Sequence, residues 1–142
     1  MKQEIDKLLD NINGYPLDKK QRKVVTSNQK YILVSAGAGS GKTLTIIGKI
    51  RYLIEIQKLK ESEILCISFT NEATNNLKNK LKENYNYNIP CYTFHKLGLE
   101  ILKQEEKQIT KKDTLTYIIT EYLNYLISQE DKKRVLTILK IK

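Results

Sequence analysis

Residues 35–43 read SAGAGSGKT. A cradle for phosphate needs consecutive backbone N–H groups turned onto one anion, and a Cβ obstructs that approach, so glycines are the residues that build it. Directly behind it a helix N-terminus adds unpaired N–H groups and the positive end of the helix dipole. Gly37, Gly39 and Gly41, followed by a helix predicted from Lys42, supply both. In this pattern the Lys42 ammonium reaches the β and γ phosphates of a nucleotide and the Thr43 hydroxyl ligates Mg²⁺. The first glycine of G-x-x-x-x-G-K-[ST] is here Ala36, which alanine can occupy if φ stays negative. A chance glycine-rich turn is the competing explanation, and the flanking elements argue against it.

Those elements follow from local pattern. YILVS (residues 31–35) is a short apolar run of β-formers ahead of the loop, and Ile46, Ile47, Ile50, Leu53 and Ile54 give the following helix an apolar stripe. A second run, ILCISF (64–69), precedes a predicted helix from Asn71 to about Glu83; a third, CYTF (91–94), leads into a helix carrying Leu97, Leu99, Ile101 and Leu102. Strands alternating with helices imply crossover connections and a parallel sheet covered on both faces, an α/β fold. Upstream, Ile5, Leu8, Leu9 and Ile12 recur at helical spacing until the turn-forming Asn13-Gly14, and Asp18 with Gln21 has the spacing of a capping box for a helix ending near Thr26. Beyond Gln104 the polar EEKQITKKD precedes an amphipathic helix over about 115–127, and a final basic helix is expected over roughly 130–140. The division that results is 1–105 and a helical segment at 106–142.

Composition narrows the class. No apolar run approaches the roughly 20 residues of a membrane span, and the N-terminus lacks the basic start and apolar stretch of a secretory signal, so a cytoplasmic, non-membrane protein is expected. Cys66 and Cys91 are far apart, and with a single histidine they predict neither a zinc site nor a disulfide framework; both read as small buried hydrophobes. The net charge is +9, with 12 Lys and Arg against 5 Asp and Glu in residues 1–60. That excess suits a phosphate-bearing partner, and equally a lysine-rich solvated surface.

Taken in order, these segments resemble the N-terminal motor domain of the UvrD/Rep/PcrA-like superfamily 1A DNA helicases, over about residues 15–105. PLDKKQRKVV resembles the family's Q motif, which implies that Gln21 reads the adenine edge, since an amide donates and accepts at once. AGAGSGKT (Ala36, Gly37, Ala38, Gly39, Ser40, Gly41, Lys42, Thr43) is the family's usual form of the Walker A loop, alanine first, with the P-loop (RecA-like) fold that this implies. The arginine that commonly follows, packing on adenine, is here Leu44. ISFTNEATNNLKNKL resembles motif Ia and TFHKLGLEIL motif Ib, both lining a single-stranded DNA groove in the family. The implied contacts are Phe69 stacking on a base, Thr70 and Asn71 bonding phosphate, and Thr93, Phe94 and His95 repeating the arrangement one strand over. Glu72 stands where the family commonly has a lysine or arginine. Tyr85, Tyr87 and Tyr92 suit either base stacking or loop and core packing.

The resemblance implies an ATP- and Mg²⁺-dependent 3′-to-5′ DNA helicase, present here as an N-terminal portion. Hydrolysis needs a carboxylate to hold Mg²⁺ and arginines to stabilise the transferring phosphoryl group, and no acidic pair ends an apolar strand after residue 102. The expected partners are single-stranded DNA and the remainder of a split or truncated helicase. A stand-alone nucleotide- and single-stranded-DNA-binding module is the alternative, and another P-loop enzyme such as a kinase has nothing further in its favour.

Overall fold

The computed structural model describes residues 2–104 and 136–138. Helix α1 (Lys2–Leu9) ends at a two-residue turn whose central residues, Asn13 and Gly14, both have positive φ (52° and 85°). That is the type I′ turn favoured by Asn-Gly, and it closes a small bridge between Ile12 and Tyr15. Helix α2 (Lys19–Thr26) begins with the expected capping box. The Asp18 carboxylate accepts from the N–H groups of Lys20 and Gln21, and the Gln21 side chain accepts from the Asp18 N–H at 2.8 Å. Helix α3 (Lys42–Arg51) runs on into a π-helical turn, Tyr52–Ile56. Strand β1 (Leu65–Ser68), helix α4 (Asn71–Tyr85), strand β2 (Cys91–Thr93) and helix α5 (Phe94–Gln104) complete the two strand–helix units, and Asn86, in the left-handed region, stops α4.

The sheet is parallel, in the order β2-β1-β3, with β3 at Leu136–Ile138. Alternate residues of β1 serve opposite faces. Cys66 joins the larger core, built from α1, α3, α4 and the loops between them, and Ile67 packs with Leu97 and Ile101 of α5. Both faces are covered, as the alternation of strands and helices demands. Cys66 and Cys91 are free, buried and in register on neighbouring strands.

Two expectations fail. Residues 31–35 form no strand: Tyr31 is 70% and Leu33 98% exposed. β-propensity describes how a residue fits a pleated surface and cannot stand in for a neighbour's hydrogen bonds; residues 31–35 pair with none of the three strands. The final basic helix is also corrected, because residues 136–138 pair with β1 as a parallel strand. Helical and extended pairing compete closely in Leu-Thr-Ile, and an open β1 edge offers backbone partners that an isolated short helix lacks. The amphipathic helix expected over 115–127 lies outside the described residues.

Arg51 ties the N-terminal helices to α4. Its guanidinium pairs with Glu55, donates to the Asn11 carbonyl at 2.8 Å and lies 4.6 Å from the centre of the Tyr85 ring. Tyr85 stacks on Tyr87, whose hydroxyl donates to Glu55 and is pushed up to about 12 by burial and by that bond. Tyr92 packs against the α5 side of the sheet. All three tyrosines therefore have structural work, the second of the two readings open to the sequence.

Candidate nucleotide site and adjoining strand ends

The phosphate-loop residues form a turn that feeds directly into α3. Gly39 and Gly41 hold φ of 71° and 77°, a region closed to most side chains, and Ala36 keeps an ordinary φ, as its side chain requires. Gly37 also has an ordinary φ and open space around it. The Lys42 ammonium folds back over the loop, donating to the carbonyls of Gly37 at 2.6 Å and Ala36 at 3.2 Å. Ser40 Oγ donates to the same Gly37 carbonyl at 2.8 Å. The charge is thus held above the N-terminus of α3, where an anion would exchange it from loop carbonyls to phosphate oxygens.

Gln21 meets this loop from α2. Its Nε2 lies 3.4 Å from the Ser40 carbonyl, while its Oε1 remains in the capping box. The helix-capping role and the place beside the loop therefore coexist. Gly41 is the point of contact, since a Cβ there would fall 2.6 Å from Gln21 Nε2. We expect Gly41→Ala to cost about 1–2 kcal/mol from its left-handed backbone alone, and Gly37→Ala to stay within about 0.5 kcal/mol. Urea unfolding of the two variants checks this; equal losses would refute the assignment.

Two clefts adjoin the loop. One of about 430 Å³ is lined by Asn13, Tyr15, residues 39–44, Ile47 and Lys80. Leu44 is half-buried and packs on the larger core. The other, about 240 Å³, brings Thr43 together with Ser68, Thr70, Glu72 and Asn76. Ser68 Oγ is buried there without a hydrogen-bond partner. Hydroxyl, amide and carboxylate oxygens are the donor set of a hard cation, so the lining beside Thr43 fits Mg²⁺. Among the described residues no cluster of three or more His, Cys, Asp or Glu could hold a metal.

The second set of predicted contacts gathers at the carboxyl ends of β1 and β2. Ser68 pairs with Thr93, so the segments 69–71 and 94–95 leave the sheet side by side. Phe69 is 75% exposed, and Asn71 and His95 are also exposed. Thr70 caps α4, its Oγ1 accepting from the Ala73 N–H at 3.1 Å. Thr93 is buried, its Oγ1 accepting from the Lys96 N–H at 3.3 Å, and Phe94 packs against the α5 core. Of the six, Phe69, Asn71 and His95 face outward unencumbered by such duties. Sequence pattern did not single out Tyr15 and Ser68 as site residues: the turn beside Tyr15 was legible, but not the cleft it faces.

Loop, helix and sheet together define an α/β protein with a glycine-rich phosphate-loop sequence at a helix N-terminus. The chain matches the UvrD/REP helicase N-terminal domain over residues 17–140, and it belongs to that family. It is 33% identical over 135 residues to a probable DNA helicase II homolog of Mycoplasma capricolum, covering 93% of this chain and 17% of that protein. Over 123 residues it is 37% identical to the ATP-dependent DNA helicase Rep of Buchnera aphidicola, covering 81% of this chain and 18% of Rep. It is 33% identical over 110 residues to the ATP-dependent DNA helicase UvrD1 of Mycobacterium leprae, covering 75% and 14% respectively. The chain therefore spans less than a fifth of the length of these relatives. No helix among the described residues is long and apolar enough to cross a membrane.

Proposed function

We propose that the chain is the N-terminal, ATP-binding portion of a UvrD-type DNA helicase that translocates 3′ to 5′ on single-stranded DNA. The observation that carries this is the Lys42 ammonium, held over a loop whose glycines adopt left-handed φ at the start of α3. In this reading residues 36–43 ring the phosphates, Gln21 reads the base edge, and Thr43 holds Mg²⁺, which when bound neutralises phosphate charge. Phe69, Asn71 and His95 offer a face and hydrogen bonds to single-stranded DNA, with Thr70, Thr93 and Phe94 shaping the strand ends that carry them. The family membership and the relatives' names support ATP and DNA as the ligands.

Binding and turnover separate in this reading, because the loop residues supply phosphate contacts, whereas hydrolysis also needs a carboxylate to hold Mg²⁺ and arginines to stabilise the transferring phosphoryl group. Purified protein is expected to bind MgATP saturably in a fluorescence titration and to show no DNA-stimulated phosphate release above a Lys42→Ala control. Absence of saturable binding would refute the nucleotide assignment. Clear turnover abolished in the variant would show that these residues suffice for hydrolysis.

A further inference from the structure

Tyr15 has no packing reason to be where it is. Its neighbours Ile12 and Leu17 are core residues at 0% and 3% exposure, yet its own ring is 67% exposed. Flexibility does not account for this, because the turn that presents it is fixed at several points. Ile12 and Tyr15 exchange both backbone hydrogen bonds, at 2.8 and 3.0 Å. The Gly14 N–H donates to Asn11 Oδ1 at 2.9 Å. Asn13 is held from α4 by Tyr85, whose hydroxyl accepts from the Asn13 N–H at 2.8 Å and donates to Asn13 Oδ1. The backbone that carries this exposed aromatic residue is thus held in place on the lip of the cleft of about 430 Å³ that the phosphate loop lines.

Leu44 lies on the same cleft, anchored in the core, and Gln21 touches the loop at Ser40. A nucleotide whose phosphates lie on residues 37–43 needs a surface for its base beyond the loop, and the cleft falls within the size range of small-molecule sites, about 300–1,000 Å³. We propose that Tyr15 is the base platform of this site, stacking on a purine whose other side lies towards Leu44. The proposal deepens the nucleotide reading above and rests on it. A stacked aromatic supplies contact area with little side-chain entropy to lose, and the fixed turn reduces that loss further. Leucine offers only an apolar wall, so the stacking contribution of the site falls to Tyr15.

The test compares two ligands that share the phosphates and differ in the base. ATP and inorganic tripolyphosphate, each with Mg²⁺, are titrated calorimetrically into the wild-type chain, Tyr15→Ala, Tyr15→Phe and Lys42→Ala. Tyr15→Ala is expected to weaken ATP about 5- to 150-fold, the range of single base–aromatic stacks, and to leave tripolyphosphate unchanged. Tyr15→Phe keeps the ring and should bind ATP within about 2-fold of wild type, since the hydroxyl is not required for stacking. Unchanged ATP affinity in Tyr15→Ala overturns the platform while the nucleotide reading stands. Equal weakening of both ligands also overturns it, by placing the effect in the loop or the fold. A wild-type chain that binds neither ligand removes the nucleotide reading, and the platform with it.

Discussion

Lys42→Ala is expected to weaken MgATP binding by about 10- to 150-fold, the loss of one charge-assisted hydrogen-bonded contact of about 1.5–3 kcal/mol. The ammonium is the charged side chain the loop itself holds in place, through the carbonyls of Gly37 and Ala36. Removing it deletes the cation and leaves the backbone N–H groups and the α3 dipole to bind the anion. Those remaining donors are why affinity should fall rather than vanish. Lys42→Arg keeps the charge but replaces a compact point donor with a planar fork, so it should bind better than the alanine variant and worse than wild type. The bonds deleted lie in an exposed loop, and thermal unfolding of the ligand-free variant should move little. Unchanged ATP affinity, or an alanine variant that no longer folds, would defeat this account of the loop.

The second large effect falls on the fold beneath the loop. Ile47 is one turn into α3, 1% exposed and part of the larger core, and it also lines the larger cleft beside the phosphate loop. Ile47→Ala should destabilise the chain by about 2–5 kcal/mol, because a rigid core closes only partly around the lost atoms. A domain of this size has only about 5–15 kcal/mol to lose, so the midpoint of urea unfolding should fall visibly. Ligand linkage gives the experiment a second arm. A nucleotide at 100 times its dissociation constant returns about 2.7 kcal/mol to the state that binds it. MgATP should therefore recover part of the lost stability in Ile47→Ala and much less of it in the double variant with Lys42→Ala. A destabilisation under about 1 kcal/mol would mean that α3 is not anchored through this residue.

Several features were legible because the forces that make them are local. The Asp18–Gln21 capping box, the Asn13-Gly14 turn and the start of α3 at Lys42 each depend on residues within a few positions of one another. Strands β1 and β2 were legible as apolar runs, since a parallel strand buried on both faces carries few polar residues. The outward position of Phe69 and the inward one of Phe94 were not separable by pattern. Both follow a strand and both are aromatic, and only the packing of α5 on Ile67 draws Phe94 into the core.

The sequence alone determined the chemistry available at the loop, because glycine φ preferences, a lysine's charge and a helix N-terminus act wherever the chain places them. It also determined the family, through the order of its motifs. The tertiary structure decided which segments find partners. Residues 31–35 have the composition of a strand and stand exposed, whereas residues 136–138 were expected as helix and pair with β1. Strand formation depends on a free row of backbone groups elsewhere in the molecule, and a strand's own letters do not encode it. The same distance hides the site. Tyr15 borders the phosphate loop because Tyr85, far along the chain, fixes the turn at Asn13, a contact that exists only after folding.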